Sequence, residues 1–297
     1  LSNYTISYQN GSLTIGKADL KVIGANTVTT YNGGVQTNTF TLEGIKGSDT
    51  VTSVVGLASQ THYSASAYQD ELSDAQGTGL SNYTISYQNG SLTIAKANYT
   101  AVNGTKTYDG NANFASATLT GVNGEQFTVS DLVADSANAS ANNGASKFID
   151  YTGSITGLNG ADSGNYNLTL SSLTASNNVA TITKADLKVI GANTVTTYNG
   201  GVQTNTFTLE GIKGSDTVTS VVGLASQTHY SASAYQDELS DAQGTGLSNY
   251  TISYQNGSLT IGKASYTAVN GTKTYDGNAN FASGTPVSYT HLTLPTI

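Results

Sequence analysis

"NYTISYQNGSLTI", residues 82–94, decides the fold class of this chain. Tyr83, Ile85 and Tyr87 alternate with polar residues at period two, the spacing of a half-buried strand. Leu92 and Ile94 resume the alternation after Asn89-Gly90, a dipeptide suited to a two-residue type I′ turn. The stretch therefore predicts a β-hairpin with Tyr87 opposite Leu92 and Ile85 opposite Ile94 on one face. An identical stretch at 249–261 places Asn256-Gly257 at the same turn, and a third copy occupies 3–15.

Working outward, the chain repeats itself at an offset of 247 − 80 = 167 residues. Lys17–Ser116 recurs as Lys184–Ser283 with two changes, Ala95 against Gly262 and Asn98 against Ser265. Each repeat divides again into two unlike halves. Both open on Lys-Ala, reach Thr-Tyr-Asx-Gly, and close on Asn-Tyr before an apolar strand. This gives an A-B-A-B order: A modules at 17–95 and 184–262, and a B module at 96–183. Residues 1–16 read as the closing part of an A module, and 263–285 as the truncated start of a B module. Strands are expected at Leu20–Ile23, Thr39–Leu42, Tyr63–Tyr68, Tyr99–Val102, Ala117–Leu119, Phe148–Thr152 and Tyr166–Leu170. "SDTVTSVVG" and "TVSDLVAD" could each form a turn of helix. The fold class is all-β, as tandem immunoglobulin-like sandwiches in an extended array. The alternative is a β-grasp-like sheet with one short helix.

Composition narrows the function. All eleven basic residues are lysine, against nineteen Asp and Glu, for a formal charge of −8. Phosphate binding needs concentrated positive charge, so nucleic acid is excluded as a partner, and anionic membranes are disfavoured. With no cysteine there is neither a disulfide frame nor a thiolate metal site. No run of 18 apolar residues exists, so no membrane insertion is expected in this segment.

The B module resembles the bacterial YDG domain through Tyr108-Asp109-Gly110, "NNGASKFIDYTGSITG" and "GADSGNY" at 160–166. The A module resembles the MBG domain of the YGX type through "TTYNGG" and its closing "NYTISYQNGSLTI". Together the two resemblances cover nearly all of residues 1–283. They imply tandem modules of large haemagglutinin-like bacterial adhesins. Such proteins are secreted, lie at the cell surface in association with the outer membrane, and have no known catalysis. The partner implied for the parent protein is a host-surface glycan or protein.

The motif residues are Tyr108, Asp109 and Gly110, their copies Tyr275, Asp276 and Gly277, and the turns Asn89-Gly90 and Asn256-Gly257. Asp109 invites a calcium-ligand or general-base reading, yet the matching A-module position is Asn32. An Asx turn accepts either side chain, whereas those chemistries need the carboxylate. Asp162 lacks a D-x-D-x-D frame, and His62 and His229 have no histidine neighbours. No catalytic, cofactor-binding or metal-binding residue is assigned, and no enzyme activity is expected. Lys17, Lys96, Lys184 and Lys263 recur at the junctions and read as solvated linker residues.

The leading expectation is a stalk or spacer of a surface adhesin, because near-identical copies cannot be specialised one by one. The competing class is multivalent binding modules for host glycan or protein. After Ser283 the copying stops, and both prolines, Pro286 and Pro295, follow with His291. "VSYTHLTLPT" looks like the translation of a transposon-type sequencing adaptor, so 286–297 is expected to be library-derived sequence.

Overall fold

The computed structural model describes residues 2–139, 146–265 and 273–277. The expected adaptor tail at 286–297 lies outside them. The chain divides into two compact units. The first comprises Leu1–Asn103, Ala115–Leu132 and Phe148–Val179; the second comprises Gly104–Phe114, Val133–Lys147 and Ala180–Ile297. The protein is all-β: the described residues contain strands and short 3-10 turns but no α-helix.

Within the first unit, residues 18–95 form ten strands. They are β1 (Ala18–Gly24), β2 (Asn26–Thr30), β3 (Gln36–Thr37), β4 (Phe40–Glu43), β5 (Thr50–Val55), β6 (Ser59–Gln60), β7 (Tyr68–Gln69), β8 (Ser73–Thr78), β9 (Tyr83–Gln88) and β10 (Ser91–Ala95). Two three-stranded sheets carry the module, ordered β4-β1-β9 and β2-β10-β7. β1 runs parallel to β9, from Ala18 opposite Tyr83 to Ile23 opposite Gln88. β2 runs parallel to β10, from Asn26 opposite Ser91 to Thr30 opposite Ala95. Small ribbons β3-β6 and β5-β8 complete it.

The expected hairpin is therefore corrected. β9 and β10 do not pair with each other; they lie in different sheets, each beside its own half of the 18–30 arm. Neither Asn89 nor Gly90 has the positive φ that a type I′ turn requires. Period-two alternation identifies a strand but not its partner, and pairing with β1 satisfies Tyr83, Ile85 and Tyr87 as well as a hairpin would. Parallel pairing also departs from the antiparallel immunoglobulin pattern. "SDTVTSVVG" holds β5 in place of a helical turn, so the β-branched Thr50, Val51, Thr52, Val54 and Val55 took the extended conformation they favour. Of the Tyr63–Tyr68 candidate, only Tyr68 enters a strand.

What turns both arms from one sheet to the other is a buried carboxylate. Asp70 is fully buried. Its Oδ1 accepts from Ala58 N at 2.8 Å, and its Oδ2 accepts from Asn38 Nδ2 at 2.8 Å and Gly90 N at 3.0 Å. Asn38 also donates to Ala25 O at 2.7 Å and accepts from Thr27 Oγ1 at 2.6 Å. A carboxylate removed from water is tolerated only when its oxygens find donors, and here three N–H groups supply them. The crossing is tight. A Cβ on Gly90 would lie 2.2 Å from Ala25 O and 2.4 Å from Gly24 O. A Cβ on Gly24 would lie 2.1 Å from Asp70 Oδ2. Asn89 fastens the same corner by accepting from Leu72 N at 2.9 Å.

Residues 185–262, in the second unit, reproduce this arrangement. Ala185–Gly191 pairs in parallel with Tyr250–Gln255, and Asn193–Thr197 with Ser258–Gly262. Asp237 takes the place of Asp70, with Asn205, Ala225 and Gly257 as donors. Leu259, Ile261 and Ala225 form the apolar cluster beneath it, with Tyr198 and Tyr235 packed alongside. The third copy of the closing stretch behaves differently. Residues 4–15 form no strand, and Tyr4 and Leu13 are 78% and 88% exposed, against 4% and 1% for the identical Tyr83 and Leu92.

The B module carries β11 (Ala97–Asn98), β12 (Ala101–Thr107), β13 (Asn113–Thr120), β14 (Gln126–Ala134), β15 (Phe148–Tyr151), β16 (Ile155–Gly157), β17 (Tyr166–Asn167) and β18 (Asn178–Thr183). "TVSDLVAD" thus lies in β14, where Phe127, Val129 and Leu132 are buried and a left-handed Asp131 interrupts the alternation. The main sheet has the order β15-β14-β13-β12-β18 with β16 also on β14, and β11 pairs β17 in parallel. Tyr166 starts β17, but Leu170 falls in a 3-10 turn, so that candidate strand is shorter than expected. In the first unit Tyr99, Phe127 and Tyr166 pack ring to ring: Tyr99 stacks on Tyr166 at 4.6 Å, and Phe127 meets both edge-on.

Gly90→Ala should destabilise the 18–95 module by about 1–3 kcal/mol or more, the cost of forcing atoms into a packed site. Gly257→Ala should match it, while Gly11→Ala, with nothing within 4 Å, should be silent. Hydrogen exchange across 83–95 and 250–262 measures each module separately; equal effects at Gly90 and Gly11 would refute the close crossing.

Candidate functional site: tyrosine–carboxylate contacts between repeats

Among the described residues no group of three or more His, Cys, Asp or Glu could hold a metal ion. The side chains that converge do so where one repeat meets the next. In the Asn-Tyr dipeptide before each closing strand, the tyrosine O–H accepts a backbone N–H and donates to a nearby carboxylate. Tyr83 accepts from Lys46 N at 2.9 Å and donates to Asp49 at 2.9 Å. Tyr166 accepts from Val122 N at 3.1 Å and donates to Glu125 at 2.9 Å. Tyr250 accepts from Lys213 N at 2.8 Å and donates to Asp216 at 2.8 Å.

The same carboxylate then takes the tyrosine of the preceding repeat's Tyr-Asx-Gly turn. In the first unit Tyr31 O–H donates to Glu125 at 3.0 Å, and its ring meets Tyr166 edge-on at 5.3 Å and 77°. In the second unit Tyr108 O–H donates to Asp216 at 2.7 Å, and its ring meets Tyr250 at 5.4 Å and 82°. The asparagine of Asn-Tyr closes each contact from the side. Asn165 accepts from Tyr63 N at 2.9 Å and lies 3.0 Å from His62 Nδ1. Asn249 accepts from Ala139 N at 2.9 Å and donates to Asn138 Oδ1. Both are buried.

These contacts explain the tripeptide. The middle residue does local work: Asp109 accepts from Asn111 N and pairs with Lys106 at 2.7 Å, and Asn32 accepts from Gly34 N at 2.9 Å. The glycine has positive φ and abuts the neighbour's turn. A Cβ on Gly33 would sit 2.8 Å from Asn123 Cβ, and one on Gly110 would sit 3.1 Å from Gly214 Cα. The tyrosine reaches the shared carboxylate. In the last copy, Tyr275 is 92% exposed, and Lys273 pairs with Asp276 at 2.8 Å as in the first.

Sequence reasoning placed the motif but missed its partners. Glu125, Asp216, Asn165 and Asn249 lie far along the chain from the turns they serve, and the only signal was the Asn-Tyr dipeptide shared by both module types. Of the junction lysines, Lys17, Lys184 and Lys263 are exposed, as expected of solvated residues, and Lys96 is half-buried. Lys96 Nζ sits 4.9 Å over the Tyr63 ring and Lys263 Nζ 4.9 Å over Tyr230, an attraction that an aliphatic linker residue would not have.

The electrostatics follow from the hydrogen bonds. Burial alone would raise the Glu125 carboxyl, but backbone and tyrosine donors outweigh it and hold it below its ordinary value. Burial, then hydrogen bonding to Asp216, pushes Tyr250 up to about 12. Tyr31 and Tyr108 rise for the same two reasons.

Comparison with known proteins returned no matching family, no curated relative and no similar solved structure.

Two outcomes are expected. Glu125 has a lowered folded value, so its contribution is complete above 4.5 and is lost as pH falls through that lowered value. Tyr250 has a raised one, so its contribution is complete below 10.0 and is lost as pH rises toward about 12. Tyr108→Phe removes a bond to a charged acceptor worth about 1.5–3 kcal/mol. It should speed exchange of the Ala139 amide while leaving the Leu259 amide protected; unchanged exchange at Ala139 would rule the contact unimportant.

Proposed function

We propose that this chain is a structural stalk or spacer, built from alternating repeats of a large bacterial surface adhesin. Its non-catalytic role is to hold a distal binding region away from the cell, and a host-surface glycan or protein would be met by that distal region. The observation that carries the reading is the recurrence of one contact at two successive, chemically unlike junctions. Tyr31 with Glu125 and Tyr108 with Asp216 use the same groups in the same geometry, although the modules they join differ in sequence and sheet order. A catalytic or ligand-binding protein has no need to repeat a contact between modules; a spacer is made of nothing else. Hydrogen bonds shared by neighbours restrict the hinge that a two-residue Lys-Ala connection would otherwise allow. No helix among the described residues is long and apolar enough to cross a membrane. The resemblance to MBG and YDG domains points the same way, and supports a location outside the cell.

Small-angle scattering tests this. A single compact globule of this length would have a radius of gyration of about 19 Å. A stalk requires a value well above that, with a rod-like cross-section. A compact, near-spherical profile would remove the proposal.

A further inference from the structure

The turn that carries Tyr108 encloses a cation, and the cation belongs to the chain. The Lys106 ammonium donates to Asp109 Oδ1 at 2.7 Å, Asn113 O at 2.7 Å, Asn111 O at 2.8 Å and Asn111 Oδ1 at 3.1 Å. Four oxygens are enough to engage all three of its N–H bonds. The Lys106 side chain is only 14% exposed, and its Nζ also lies 5.2 Å from the centre of the Phe114 ring.

The oxygens are aimed by the turn itself. Asp109 Oδ1 accepts from Asn111 N at 3.2 Å, and Asn111 Oδ1 accepts from Asn113 N at 2.8 Å, two Asx turns in succession. Asp109, Asn111 and Asn113 stand at alternate positions, the D-x-N-x-N spacing with which calcium loops begin. The rest of such a loop is different here. Phe114 holds the sixth position, where that loop has glycine, and Thr120 the twelfth, where it has glutamate.

The A module makes the converse choice. Aligned on the tyrosine, Thr29 stands where the B module has Lys106, and Asn32 where it has Asp109. Thr29 donates to Gln36 Oε1 at 2.6 Å, and Asn32 accepts from Gly34 N at 2.9 Å. Ammonium and carboxylate are thus present together or absent together. In the B module, burial alone would raise the Asp109 carboxyl, but Lys106 and the Asn111 amide hold it below its ordinary value.

We propose that the Lys106 ammonium is the structural cation of the Tyr-Asp-Gly turn, filling the place of a metal ion and holding Tyr108 where it reaches Asp216. Lys106 is a positioning residue, acting on the junction through Asp109, Asn111 and Asn113. The turn therefore needs no ion from solution, and loss of the lysine charge leaves four oxygens converging without one. The inference rests on the contact between Tyr108 and Asp216 and not on the spacer reading.

Chemical rescue tests it. Lys106→Ala should speed exchange of the Asn113 and Ala139 amides by about tenfold or more, the factor for losing a hydrogen bond to a charged group. Ethylammonium added to that variant should restore protection, whereas ethanol, of similar size but neutral, should not. Wild-type rates should be the same in calcium chloride and in EDTA. Unaltered exchange in Lys106→Ala overturns the proposal, and so does a wild-type response to calcium or EDTA. Failure of ethylammonium to rescue, or equal rescue by ethanol, overturns it as well, because packing would then explain the loss. A wild-type measurement serves if the variant does not fold. The Lys106 ammonium protons should exchange with water more slowly than those of the exposed Lys17, and equal rates overturn the proposal.

Discussion

A single buried carboxylate in each A module governs how the chain can cross itself. Asp70 draws donors from three separate segments: Ala58 N, the Asn38 amide, and Gly90 N. Among the described residues no lysine pairs with it; its oxygens are met by N–H groups, so each donor must arrive within hydrogen-bond distance or stay unsatisfied. That requirement brings Gly24 and Gly90 to a separation that forbids a Cβ on either. It also turns both arms at one level. Every strand outward of the crossing inherits its register from that point, and the duplicate built around Asp237 shows the same sequence reaching the same solution.

The junctions follow a related logic with neutral partners. A carboxylate at the rim of one module accepts its own tyrosine and the tyrosine next door, on separate oxygens at Glu125 and on the same oxygen at Asp216. The contact is no ion pair: a neutral tyrosine O–H meets a carboxylate, so only one of the two partners carries a charge that loses water on docking. The aromatic edges add contact area where the modules otherwise offer small polar residues, which is the use a chain with nineteen tyrosines and no tryptophan makes of them.

Much of this was legible in the residues. Alternation identified the closing strands, and the 167-residue offset exposed the alternating plan. The Asx pattern at Asn32 and Asp109 pointed to a turn, and both side chains accept the backbone N–H two residues on. What failed was pairing. Asn89-Gly90 carries the strongest local hairpin signal, yet β9 and β10 part company there, because Asp70, twenty residues before Gly90, holds Gly90 N. A local rule has no access to a donor fixed by a distant acid. Residues 4–15, identical to 83–94, form no strand, so alternation alone does not decide the outcome. The junction carboxylates escaped notice because Glu125 and Asp216 share neither residue type nor flanking sequence.

The two kinds of acceptor, Glu125 in the B module and Asp216 in the A module, bear on how the gene can change length. Each tyrosine turn is matched to an acceptor of the other module type, Tyr31 to the Asn-Gly-Glu turn and Tyr108 to the Lys-Gly-Ser-Asp turn. Unequal recombination between near-identical DNA repeats can insert or delete whole A-B pairs, and each inserted pair brings both contacts with it. The chain also holds an A-to-A junction, where the closing stretch 1–16 runs directly into the module at 17–95. An inserted pair lengthens the encoded protein by 167 residues with no new contact to evolve.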